Sequence, residues 1–189
     1  MGYKEMRNAR PDMNDTTLTP PVGERDHVQG PADAPVTLVE YGDYQCPYCG
    51  SAHLMLQEIQ RRLGDQLRFV FRNFPLTESH PYALQAAEAA EAAAEQGKFW
   101  EMHDYLFEHQ KRLDRDHLLQ YAGTLGLDTE RFRRALDSEA ELPRIRDDYR
   151  SGEESGVQGT PTFFINGVAY EDDSETDTLL RAIRARMGE

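Results

Sequence analysis

The apolar positions along the chain change period several times, and each change marks an element. Val36, Leu38, Val39 and Tyr41 form a short run with β-branched residues between Pro35 and Gly42, the pattern of a buried strand. From Cys46 to Leu63 the spacing lengthens. Leu54, Leu56, Ile59 and Leu63 recur at helical intervals, and Gly64 stands just past the predicted helix end. Leu67, Phe69 and Phe71 then alternate, so a second strand over about 67–74 closes a β-α-β unit.

The stretch from Ser79 to Gly156 predicts only helices. Residues 82–96 are crowded with Ala and Glu, and Phe99, Trp100, His103, Leu106 and Phe107 share one face. Asp114 and Asp128 stand where N-caps would open two more helices. A more polar helix runs through Leu142, Ile145 and Tyr149. The strand pattern returns at Thr162 to Ile165, followed by an Asn166-Gly167 hairpin turn, Val168 to Tyr170, and a helix over about 175–187. The order β-α-β, helical block, β-β-α resembles an α/β thioredoxin-like fold. Residues 27–78 and 157–189 would form its core and 79–156 an inserted helical domain. Residues 1–26 lack apolar periodicity and carry breakers such as Pro11 and Pro20-Pro21, so a flexible N-terminal arm is expected there.

Composition narrows the function classes. A chain of 189 residues suits one domain with an insertion, which buries roughly 70% of its unfolded surface and folds without a disulfide or structural metal. That leaves the two cysteines for chemistry. A formal net charge of -13 argues against phosphate-tracking grooves, so nucleic acid is not expected as a partner. No stretch approaches the apolar length of a membrane span and no apolar signal core is visible near Met1, so no membrane partner is expected. The localisation expected is cytoplasmic if Met1 is the native start, and periplasmic or secreted if a leader has been removed.

The candidate chemistry is the run Cys46-Pro47-Tyr48-Cys49. Two cysteines three residues apart at a helix start face the same way and can form a reversible disulfide. Cys46 sits where free backbone N–H groups and the helix dipole favour a thiolate, and Pro47 suits the first turn. Position assigns the roles. Cys46 is the exposed, attacking sulfur, and Cys49, one turn deeper, resolves the mixed disulfide. The redox-active disulfide Cys46–Cys49 is then the only cofactor expected. Protein or peptide thiols and disulfides, with a thiol redox partner, are the expected partners. Downstream, Gly159-Thr160-Pro161-Thr162 enters a strand where a cis proline would set a backbone edge beside the dithiol.

The runs from Glu40 to Gly50 and from Gly159 to Gly167 resemble the DsbA-like thiol-disulfide oxidoreductases of the thioredoxin superfamily, over about residues 27–187. The resemblance implies that Pro161 is cis against the active site, that the helical block is a cap, and that Thr160 tunes redox poise and binds substrate backbone. It also implies that Glu40 is a buried acid relaying the proton of Cys49. The strongest oxidases of that branch carry Pro-His between the cysteines. Tyr48 in place of histidine predicts a less oxidising dithiol.

Other readings are weaker. Cys46, Cys49 and His53 have metal-ligand spacing but no evident fourth ligand, so no metal is expected. His27, His80, His103, His109 and His117 read as surface or helix-face residues, with His80-Pro81 a helix-start signal. Trp100 and its aromatic neighbours read as core of the cap. A glutathione-dependent transferase or isomerase, and a non-enzymatic interaction domain with a structural disulfide, are the remaining alternatives.

Overall fold

A computed structural model describes residues 16–173 and 175–188. Among these residues five strands form one sheet, in the order β1 (His27–Gln29), β3 (Leu67–Asn73), β2 (Val36–Gly42), β4 (Thr162–Ile165) and β5 (Val168–Tyr170). β2 and β3 are parallel, and the other neighbours are antiparallel. A parallel pair needs a long crossover, and α1 (Pro47–Leu63) supplies it. The central position of β2 places Glu40 between Phe71 and Phe163.

Strand alternation sorts the apolar side chains onto two faces. Leu38, Phe69, Phe71 and Phe163 join Leu56 and Ile59 of α1, Ile183 of α7 (Thr176–Ala185) and the helical block in the larger core. Val39, Tyr41, Val70 and Phe164 pack on the other side with Leu18, Phe74 and Val157. Glu40 has the parity of Leu38 and therefore points to the α1 side, where Cys49 also lies buried.

The helical block comprises α2 (Ala83–Ala94), α3 (Phe99–Glu108), α4 (Arg115–Thr124), α5 (Thr129–Asp137) and α6 (Leu142–Glu154). Asp114 and Asp128 accept hydrogen bonds from His117 N and Arg131 N, so both carboxylates cap their helices. Ala86, Ala89, Ala90 and Ala93 are fully buried, and their small side chains let neighbouring helices approach. The buried Glu91 ties the block to the sheet. It meets His27 Nε2 at 2.8 Å, Asn73 Nδ2 at 2.7 Å and Arg144 Nε at 2.7 Å. A buried carboxylate persists when its charge is met by ions and donors in this way.

Two local features differ from the sequence expectation. The three-residue β1 is too short to show a period. Of the expected arm, residues 1–15 lie outside the described residues, and residues 16–26 are not a free arm: they lie against the second face of the sheet. Leu18 N donates to Gly167 O at 2.8 Å, Ala169 N donates to Thr16 O at 3.0 Å, and Thr19 N donates to Ser155 Oγ at 2.8 Å. Asp26 pairs with the buried Arg72 at 2.8 Å. A single apolar anchor, Leu18 at 4% exposed, and one charge partner hold a segment whose composition alone reads as loose.

Candidate active site

β2 ends at Gly42, and the chain reaches α1 through a loop organised by one buried carboxylate. Asp43 Oδ1 accepts from Gln45 N at 2.7 Å and Cys46 N at 3.2 Å. Its Oδ2 accepts from Leu76 N at 2.9 Å and meets His80 Nδ1 at 2.8 Å. A side chain that accepts from the backbone two and three residues ahead fixes a turn locally. Cys46 is thereby held as the N-cap of α1 with Pro47 in the first turn. His80, read from sequence as a helix-start signal, is thus a partner of this loop; α2 starts only at Ala83.

Cys46 and Cys49 are both free thiols. Cys46 is 3% exposed and Cys49 0%, which corrects the expectation of an exposed Cys46. The strand entry at Thr160 covers it, with Cys46 Sγ lying 3.5 Å from Thr160 O. The Thr160–Pro161 peptide bond is cis. Pro47 and Tyr48 form the open rim beside the dithiol, with Tyr48 76% exposed.

The two sulfurs sit in opposite electrostatic settings. Hydrogen bonding from the Cys49 thiol lowers the Cys46 pKa to about 5, helped by Thr160 and by the backbone N–H groups of Cys49 and Tyr48, against the effect of burial. Burial drives the Cys49 thiol far above its ordinary range, and Cys46 and Glu40 add to the shift; the Asp43 N–H at 3.5 Å opposes it. Thr160 Oγ1 is buried with no other hydrogen-bond partner among the described residues, which leaves it available to a thiolate.

Glu40 is 1% exposed, and its Oε1 has no hydrogen-bond partner among the described residues. Burial, and then the charge of Cys46, pushes its pKa up to about 8. A carboxyl group in this state holds a proton at neutral pH and gives it up slightly above.

Gln110, just after α3, also reaches this site. Its Nε2 donates to Tyr44 O and to Cys46 O, each at 2.8 Å. Gly50 makes room for it: a Cβ at Gly50 would lie 2.1 Å from Gln110 Oε1. Nothing in the sequence pattern joins Gln110 to Cys46, because 64 positions separate them. Asp43 did carry a local signal, an Asp three residues before a helix start.

The thioredoxin family model matches residues 23–185. Among solved structures, BdbD from Bacillus subtilis in its oxidised form superposes with a TM-score of 0.79 at 27% identity, covering 87% of this chain and 94% of that one. A thioredoxin-like oxidoreductase from Silicibacter pomeroyi gives 0.76 at 28% identity, covering 94% and 98%. Wolbachia pipientis α-DsbA1, at 21% identity and a TM-score of 0.78, shares the fold over 93% of this chain and 96% of its own. Curated relatives carry a different name. The Na+/H+ antiporter NhaA 3 of Salinispora tropica is 49% identical over 88% of this chain, and the NhaA 1 of Mycobacterium sp. strain KMS 45% identical over 89%. The chain spans about a quarter of the length of these relatives, 25% and 28%. Among its described residues no helix is long and apolar enough to cross a membrane. What this chain shares with both groups is therefore one and the same unit, and over residues 23–185 it belongs to the thioredoxin family, with a DsbA-like fold.

Proposed function

We propose that the chain exchanges disulfides with protein substrates through Cys46 and Cys49. The observation that carries this reading is the contrast between the two sulfurs, one stabilised as a thiolate at about 5 and the other held as a buried thiol. Only a low-pKa thiolate is an effective nucleophile at neutral pH.

In the reducing direction, the Cys46 thiolate attacks a substrate disulfide. A Cys46–substrate bond forms, the substrate S–S bond breaks, and one substrate sulfur leaves as a thiolate. Glu40, protonated at neutral pH, loses its proton to solvent once the mixed disulfide has removed the Cys46 charge. Its carboxylate then takes the proton of Cys49 as that sulfur attacks Cys46 Sγ. The Cys46–Cys49 disulfide forms and the second substrate sulfur leaves, so the substrate gains two electrons and the dithiol loses two. The oxidising direction is the reverse. Thr160 and Pro161 form the backbone edge against which an extended substrate lies, and Tyr48 presents an aromatic rim.

The antiporter relatives support one addition. A dithiol unit matched within longer proteins of that name has a membrane transporter as a candidate client. Cys49→Ser would trap such a client as a mixed disulfide with Cys46.

Insulin reduction by the whole chain tests the main reading. Turnover should disappear in Cys46→Ser, and Cys49→Ser should accumulate mixed disulfide. Turnover retained in Cys46→Ser would reject it.

A further inference from the structure

One turn beyond Cys49 and on the same face of α1, His53 packs into the junction with the helical block. It meets His103 and Asp104 of α3, and the ligand atoms of the three lie within 4.8 Å of one another. His53 Nε2 and Asp104 Oδ1 are 3.8 Å apart. His53 is 5% and His103 2% exposed, while the Asp104 side chain remains 45% exposed and opens the cluster to solvent. We propose that His53, His103 and Asp104 form a binding site for a divalent transition-metal ion of the zinc class, placed where α1 meets the helical block.

The donor set selects the ion. Two imidazoles and one carboxylate suit zinc, cobalt or nickel, whereas calcium and magnesium require mostly oxygen. The protonation states agree with this role. Burial lowers the pKa of His53 to about 4, and burial, with His53 and His27 nearby, holds His103 well below its ordinary range, so both rings are neutral. Neutral rings are what a metal requires.

The surroundings orient the donors. Gln57 Nε2 lies 3.1 Å from His53 Nε2, so the ion takes the lone pair that this amide now meets, and the amide turns to offer its oxygen. Tyr44 OH lies 3.0 Å from His103 Nδ1. With Nδ1–H donating to the tyrosine oxygen, His103 Nε2 is bare. A hydrogen bond to the second ring nitrogen is the usual support of a ligating histidine.

The spacing is slightly open. Tetrahedral ligands around zinc stand about 3.3 Å apart, so the ion draws the three side chains together. The fourth position falls to water or to the Gln57 amide oxygen. The ion then ties α1, which carries Cys49, to α3 of the helical block.

The test uses the whole chain with Cys46→Ser and Cys49→Ser, so that sulfur cannot bind metal. After chelator treatment it is titrated with Co2+ and then with Zn2+. One equivalent should bind, with the visible spectrum of four-coordinate cobalt on nitrogen and oxygen and no sulfur charge-transfer band. Asp104→Ala, a substitution at a half-exposed position, should weaken binding at least about ten-fold with an unchanged circular dichroism spectrum. His53→Gln should do the same. Absence of saturable binding at one equivalent, or equal binding in both variants, would overturn the proposal.

Discussion

Gln110, just after α3, donates one hydrogen bond to the carbonyl of Cys46 at 2.8 Å. The helical block is therefore more than a lid over the core, since it touches the first turn of α1 at the residue proposed to react. The same amide group holds Tyr44 O at 2.8 Å.

Gln110→Ala removes both bonds and should destabilise the protein by about 1 to 2 kcal/mol, seen as a lower urea midpoint. Insulin-reduction turnover should fall several-fold, because the loop that orients Cys46 loosens. Gly50→Ala pushes a methyl group into the Gln110 amide and should give the same two effects by a different route.

Stability should depend on pH differently in the reduced and oxidised protein. The folded pKa of Glu40 is raised to about 8, so folding favours its protonated form. That contribution is full below the unfolded value near 4.5 and is lost as pH rises through 8. The folded pKa of reduced Cys46 is lowered to about 5, so its contribution is full above the unfolded value near 9 and is lost as pH falls through 5. The two slopes oppose each other between 5 and 8. Only the reduced protein has the Cys46 titration, so its urea midpoint should rise relative to that of the oxidised protein as pH increases from 5 to 8. Parallel profiles for the two forms would contradict this.

Tyr48→His should make the dithiol a stronger oxidant. A histidine beside Cys46 adds a donor and a cationic charge to the thiolate, which stabilises the reduced form. A ten-fold shift in the exchange constant corresponds to about 30 mV, and equilibration with glutathione should show a rise of at least that size. Tyr48 is 76% exposed, so the substitution leaves the core untouched.

Glu91→Ala should cost about 3 kcal/mol or more of stability, because it leaves Arg144 without its buried counter-charge and His27 without its carboxylate partner. Chemical denaturation measures the loss. Glu91→Gln, which keeps an acceptor oxygen but not the charge, should recover part of it.

Much of the fold was legible because its elements are long relative to their periods. β2, α1 and β3 announce themselves through alternation, then helical spacing, then alternation. Asp114 and Asp128 mark helix starts through a short-range interaction that needs no tertiary context. The illegible parts depend on distant partners. The His27–Gln29 strand exists only because β3 offers it an edge, and Leu18 is buried only because the sheet leaves a hollow beside Phe164 and Val157. Of the candidate site, the Cys46–Cys49 run and Thr160-Pro161 were visible as local motifs. Gln110 and His80 were not, because their relation to Cys46 and Asp43 is created by folding.

The segment around Leu18 has a further consequence for how the molecule meets its own copies. β5 is the last strand of the sheet, and an unpaired outer strand is a template for another chain. Thr17 bridges to Val168 in the antiparallel sense, and Ala169 N is already occupied by Thr16 O. The protein thus closes this margin with its own backbone. A chain shortened to begin at Pro20 would expose the margin and should self-associate in a concentration-dependent way, visible by light scattering, even with its dithiol intact.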